Sequence, residues 1–225
     1  MSRETIDIYT DFKSPYAYLA VEPTRALERD YDVELRWLPY TLNIPEFLGS
    51  ARLDENGEVL EVERSERQWK RVRYAYMDVR RYANLRGLTV RGPQKIWDSS
   101  IAAIGLLYAD AAGTLAPFVD AVFERFWKRE LDIEDSAVVE AVLAETGATA
   151  SESFASFLAG EGRSRHDEIR SQAEDRGVFG VPTYCAFDEV FFGREHLPLI
   201  RLRLHERGLE KPGVEPPNEL TYAYR

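Results

Sequence analysis

Ser14 stands in the run T-D-F-K-S-P-Y-A-Y-L-A, residues 10–20, with Pro15 directly after it. Proline suits the first position of a helix, where its missing N–H would have no partner in any case. The preceding serine then falls at the N-cap. There its hydroxyl meets free backbone N–H groups and the positive end of the helix dipole. An anion beside Ser14 would be stabilised by both. A plain serine cap accounts for the same residues, and this stretch alone leaves the two readings open. Cys185, the only cysteine, follows Val181-Pro182 inside an apolar run and reads as a buried core residue, not a nucleophile. His166, His196 and His205 show no metal-ligand spacing, and no metal site is expected. There is no P-loop, no G-x-G-x-x-G and no G-x-S-x-G elbow.

The composition narrows the partners. A chain of 225 residues can bury a sizeable core, as one large domain or as one domain carrying an insertion. A net charge of -10 and a pI of about 5.0 argue against a nucleic-acid or anionic-membrane surface. A small anionic ligand is still allowed, because a local site can be positive inside an acidic protein. A single cysteine permits no intrachain disulfide and fits a reducing compartment. The opening M-S-R-E-T lacks a signal-peptide pattern, and no apolar run approaches the roughly 20 residues that span a bilayer. The expectation is a cytoplasmic protein.

The elements that must position Ser14 follow from periodicity. Alternation predicts a first strand over 5–9, a helix over 15–29 broken at its middle by Pro23, and a second strand over 33–38. Strand, helix and strand in this order most simply make a parallel βαβ unit. A short helical turn is expected at 43–47, and an irregular loop over 48–63. A long helix over 65–86 places Trp69, Val72, Tyr76, Val79 and Tyr82/Ala83 at helical spacing and ends at Gly87. Its basic residues Lys70, Arg71, Arg73, Arg80, Arg81 and Arg86 read as a solvated face in preference to an anion site. Helices over 99–112, 116–130, 138–145, 151–158 and 164–176 complete an all-helical block. A hairpin of 183–187 with 190–192, connected at Asp188-Glu189, and a closing helix over 195–207 return the chain to the sheet. Residues 211–219 should form an extended tail, with 220–224 free to pack on the body or on a second subunit.

Two motifs carry a resemblance. One is D-F-K-S-P-Y-A-Y-L-A; the other is R-G-V-F-G-V-P-T-Y at 176–184, followed by F-F-G-R-E-H-L at 191–197. With Y-M-D-V-R-R-Y-A-N-L-R-G-L at 76–88 and L-D-I-E-D at 131–135, they resemble the 2-hydroxychromene-2-carboxylate isomerase and kappa-class glutathione transferase family. The resemblance implies an α/β thioredoxin-like fold with a long all-helical insertion domain. It divides the chain into a discontinuous thioredoxin-like domain, 1–42 and 177–210, a helical domain, 43–176, and a tail, 211–225. It implies glutathione as cofactor, a small-molecule aromatic substrate and a homodimer.

The same resemblance assigns roles. Redox relatives keep Cys-x-x-Cys at the helix start; Ser14 and Ala17 stand there instead, so disulfide exchange at this place is not expected. Ser14 would hold the glutathione sulfur as thiolate. Val181, before an expected cis Pro182, would pair with the cysteinyl backbone. Phe192, Gly193, Arg194 and Glu195 would grip the γ-glutamyl end, although His196 stands where the family keeps arginine. The isomerases also carry a lysine after the second strand as a carboxylate anchor, and 38–51 contains no Lys or Arg. Tyr16, Trp97 and Asp98 are the remaining substrate candidates. Trp97 would stack on an aromatic ring or pack in the core; Asp98 would repel a carboxylate. The implied activity is a glutathione-dependent isomerisation of an aromatic or conjugated keto or hydroxy acid by reversible thiolate addition. A kappa-like transferase and a non-catalytic glutathione- or peptide-binding module are its rivals.

Overall fold

The computed structural model describes residues 3–54, 56 and 58–217. Strand β1, Glu4–Thr10, runs down the middle of a four-stranded sheet. Its last five residues are buried on both faces, which is why Ile6, Ile8 and Tyr9 are accompanied by few charges. β1 pairs in parallel with β2, Val33–Pro39, from Glu4↔Val33 to Thr10↔Pro39. Helix α1, Pro15–Asp30, makes the crossover between them. On the other side β1 pairs antiparallel with β5, Thr183–Ala186, which in turn pairs with β6, Glu189–Phe192. The order is β2-β1-β5-β6.

Between β2 and β5 come α2 (Ile44–Leu48), the hairpin β3 (Ala51–Leu53) with β4 (Val59–Val62), and α3 (Glu66–Leu85). The helices α4 (Ser100–Ala111), α5 (Leu115–Trp127), α6 (Ser136–Glu145), α7 (Phe154–Ala159) and α8 (Glu161–Asp175) follow. A 3₁₀ turn, Arg194–His196, leads into α9, Leu197–Glu206. The helical block packs directly on the loop that carries Ser14. Phe12 meets Phe118 and Phe123 of α5 at 6.0 and 4.8 Å between ring centroids, and Tyr18 stacks on Phe123 at 5.3 Å. These rings are almost fully buried, so this contact is a main anchor of the β1–α1 connection.

Three expectations need correction. Pro23 does not break α1, which runs through it. The proline removes the N–H that would bond the carbonyl four residues back, on Leu19. The Arg86 guanidinium, at the end of α3, donates to that carbonyl instead. Residues 48–63 contain the β3–β4 hairpin, paired from Ala51↔Val62 to Leu53↔Val59. All four residues of β4 are exposed, so no buried face imposed the alternation that reveals a strand. The β5–β6 connection is Phe187-Asp188, one residue earlier than expected. Both have positive φ, 57° and 60°, as the mirror-image hairpin turn requires.

At the C-terminal end, Glu210 bridges Tyr31 and the Lys211 N–H donates to the Asp30 carbonyl at 2.8 Å. The expected packing of 220–224 lies outside the described residues.

Candidate active site

Ser14 caps α1 as its sequence implies. Its backbone is extended, φ -93° and ψ 115°, and its Oγ accepts from the Ala17 N–H at 3.2 Å. With that acceptor role filled, the hydroxyl proton is left to donate. It points to the Val181 carbonyl across 3.4 Å, a long and weak bond. Ser14 is 5% exposed, yet it forms part of the wall of a cavity of about 780 Å³. Ser14 is therefore buried at the edge of a partly open cavity.

The segment before Ser14 is fixed by Asp11, 3% exposed. Its carboxylate accepts from the Lys13 N–H at 3.1 Å and from the Leu42 N–H at 2.8 Å, tying the loop after β1 to the segment after β2. The Lys13 ammonium stands 3.7 Å from the same carboxylate, and Lys13 also lines the cavity. Sequence reasoning singled out neither residue. The only signal was an acid and a base within four residues of the serine.

Opposite Ser14 lies Val181, joined to Pro182 by a cis peptide bond. The Val181 N–H makes no hydrogen bond to another described residue, and its carbonyl receives only the long bond from Ser14. A strand edge one residue long is thus open to the cavity. Gly180 and Phe192 close this side. The Phe192 ring lies where a Gly180 Cβ would be, 2.6 Å from the ideal position, so the approach requires glycine.

The far wall is supplied by α3 and by 92–97. Trp69, Arg73, Tyr76 and Arg80 recur along one face of α3 and all line the cavity. The basic run expected to be a solvated face is therefore divided. Arg73 and Arg80 turn to the cavity, Arg86 serves α1, and Lys70 pairs in solvent with Glu66. Arg64, Lys95 and Arg129 also line the cavity, whereas no aspartate or glutamate among the described residues does. Ile44, Phe47, Leu48, Leu53 and Val72 make the rest of this wall apolar.

The candidates read from the sequence fall into two groups. Ser14, Tyr16, Trp97, Val181 and Phe192 meet at the cavity. The Tyr16 hydroxyl donates to Asp78 at 3.2 Å. Burial and the neighbouring Asp78 carboxylate push its pKa up to about 12, so it stays protonated near neutral pH. Trp97 lines the cavity and also packs edge-on against Phe126 at 5.8 Å. Pro182, Gly193, Arg194, Glu195 and Asp98 stand behind or beside this wall. The Gly193 N–H donates to the Pro182 carbonyl at 2.8 Å, and its φ of 102° suits only glycine. Arg194 lies over Tyr82 at 4.1 Å, and the Glu195 carboxylate folds back over Gly193. Asp98 caps the start of α4, accepting from the Ser100 N–H at 2.9 Å and the Ser100 hydroxyl at 3.2 Å. Among the described residues no cluster of His, Cys, Asp or Glu is placed to hold a metal ion.

A thioredoxin-like sheet with an N-capping residue at the start of α1, a cis-proline opposite it and a helical insertion defines a known architecture. The model of the DSBA-like thioredoxin domain matches residues 5–205, and the chain belongs to that family. Within it, the chain is similar to a 2-hydroxychromene-2-carboxylate isomerase of Pseudomonas putida, 29% identical over 193 residues, covering 85% of this chain and 90% of that protein. A solved 2-hydroxychromene-2-carboxylate isomerase superposes with a TM-score of 0.70 at 27% identity, over 91% of this chain and 96% of the other. A probable DsbA oxidoreductase from Streptomyces coelicolor has a TM-score of 0.69 at 16% identity, over 94% and 93% of the two chains, a likeness of fold alone. No described helix is long and apolar enough to cross a membrane.

Proposed function

We propose that the protein is a glutathione-dependent isomerase of a conjugated aromatic keto or hydroxy acid. The observation that carries this reading is Ser14, which caps α1 in the cavity wall with its hydroxyl proton held only by a long bond to the Val181 carbonyl, beside a Val181 N–H that has no partner among the described residues. The residues present fit glutathione. Val181 offers one N–H and one carbonyl to a peptide backbone in the manner of an added strand. Similarity to proteins named 2-hydroxychromene-2-carboxylate isomerase supports the reaction type. Bound glutathione supplies a thiol whose anion adds reversibly to a conjugated carbon, turning a double bond into one that can rotate.

The chain's own residues do the rest. Ser14 donates its proton to the sulfur in place of the distant Val181 carbonyl. The α1 dipole adds to that bond, and together they are worth about 2–4 kcal/mol, or about two pKa units. Lys13, its ammonium 3.7 Å from the Asp11 carboxylate, also lines the cavity. Tyr16, protonated, commits its single hydroxyl proton to Asp78, so its oxygen can accept a hydrogen bond from a ligand but cannot act as a base. Trp97 offers its face to an aromatic ring, and the apolar wall keeps water from the reacting carbons. With no second cysteine in the chain, an intrachain Cys-x-x-Cys exchange is chemically closed to it.

The test is calorimetric titration with glutathione, followed by turnover of 2-hydroxychromene-2-carboxylate with the thiol assayed before and after. Isomerisation with glutathione conserved is the expected result. Stoichiometric loss of glutathione would replace the isomerase reading by a transferase, and binding without turnover would leave a binding module.

A further inference from the structure

The cavity wall carries arginines that the Ser14 and Val181 contacts do not use. Arg64, Arg80 and Arg129 line it together with the half-buried Tyr76. Each is anchored to the backbone. Arg64 Nε donates to the Leu48 carbonyl at 2.8 Å and its guanidinium stacks on Trp69 at 5.0 Å. Arg80 Nε donates to the Val90 carbonyl at 3.2 Å and lies 5.8 Å from the Tyr76 ring. Arg129 Nε donates to the Gly92 carbonyl at 2.8 Å. None of the three pairs with a carboxylate among the described residues. The Tyr76 hydroxyl makes no hydrogen bond to another described residue. Burial holds the Arg64 guanidinium below its ordinary pKa.

We propose that Arg64, Arg80 and Arg129, which line the cavity together with Tyr76, are the anchor for the acid group of the second substrate. The inference rests on the reading that this cavity takes a conjugated acid. It places the carboxylate on the helical wall, not on a lysine after β2, which this chain lacks. Three facts favour it. Arg64 and Arg80, fixed at Nε, keep both terminal nitrogens for a carboxylate, and Arg129, which also gives one terminal nitrogen to the Gly92 carbonyl, keeps the other. Each is already held in place, so little side-chain entropy is lost on binding. The surrounding wall of Leu48, Leu53, Trp69 and Val72 suits an apolar body attached to the anion, not a free inorganic ion.

The experiment compares 1-naphthoate, 1-naphthamide and inorganic phosphate by calorimetry on the full chain. Wild type, Arg80→Gln, Arg80→Lys and Arg71→Gln are used; Arg71 is exposed on α3 and does not line the cavity. Naphthoate is expected to bind about tenfold or more tightly than the amide, the scale of one charge-assisted pair. Arg80→Gln should erase that preference, Arg80→Lys should restore part of it, and Arg71→Gln should leave it intact. Glutathione affinity should not move in any variant. Equal binding of acid and amide would overturn the proposal. So would phosphate binding as tightly as naphthoate, or glutathione affinity falling with Arg80→Gln, which would give the cluster to the thiol ligand. If glutathione fails to bind wild type while naphthoate keeps its arginine dependence, the isomerase reading falls and the anion anchor stands.

Discussion

Ser14 has one firm hydrogen bond and one weak one, and the difference decides what it is for. The firm bond, from the Ala17 N–H, is the ordinary work of an N-cap. The weak one, to the Val181 carbonyl, satisfies a proton that a closer anion would attract. Ser14→Ala removes both. The cap is worth about 1 kcal/mol, so urea unfolding should show a loss of that order. Turnover should fall far more, about 100-fold in kcat/KM, the factor that two pKa units of thiolate population represent. A stability loss with turnover unchanged would make Ser14 a cap and nothing else. At this scale the sequence was informative where a side chain sits next to a structural marker. Ser14 precedes a proline, Val181 precedes another, and both reach the cavity. It read Arg80 as part of a solvated face and singled out neither Arg64 nor Arg129. Their partners are backbone carbonyls distant in the chain, and no local pattern distinguishes them from solvated arginines.

Among the elements, α1 and α3 depend on one another. Pro23 leaves the Leu19 carbonyl without its helical partner, and Arg86 of the α3 C-terminus fills the gap. This bond ties the helix that carries Ser14 to the helix that carries Arg80 and Tyr76. Arg86→Met should cost about 1–3 kcal/mol, the penalty for a buried carbonyl left unpaired. In a Pro23→Ala background the restored N–H can take that carbonyl, and the same change should cost distinctly less. A double-mutant cycle by urea denaturation measures the coupling, expected at about 1 kcal/mol or more; additivity would deny the link. Most helices were legible because each buries one apolar stripe. Phe118, Val122, Phe123, Phe126 and Trp127 of α5 are all buried as their spacing implies. The β3–β4 hairpin was not legible because β4 buries no face. Pro23 misled because a local rule ignores a rescuing donor 63 positions away in the chain, between residues 23 and 86.

Besides the Phe12 cluster and the Arg86–Leu19 bond, an ion triad around a buried aspartate joins the sheet to the helical block. Asp7 of β1, 4% exposed, receives Arg36 of β2 at 2.6 Å and Arg176, just beyond α8, also at 2.6 Å. Burial raises the Asp7 pKa, but the hydrogen bonds and charges of the two arginines outweigh it and leave it below its ordinary value. A carboxylate with a depressed folded-state pKa contributes stability above its unfolded pKa, and that contribution is lost as pH falls through the folded value. Asp7→Asn should therefore cost about 2–3 kcal/mol at pH 7, toward the low end for a broken pair because both arginines retain solvent. The difference between variant and wild type should shrink below about pH 4, where unfolded aspartate takes its proton. A difference constant from pH 3 to pH 7 would contradict this. The layout of the molecule was visible in the order of its elements, because a parallel βαβ unit, a helical block and a hairpin leave few topologies open. The net charge of -10 gave no hint of a cavity wall rich in arginine, since a sum over the surface carries no information about one wall.

The account stands or falls on the state of a thiol held at Ser14. Ultraviolet titration of the thiolate band of glutathione bound to wild type and to Ser14→Ala reads that state directly. The bound thiol should ionise about two units below the free one in wild type and return toward the free value in the variant. A bound thiol with an unshifted pKa, or one shifted equally in both proteins, would contradict the assignment of Ser14.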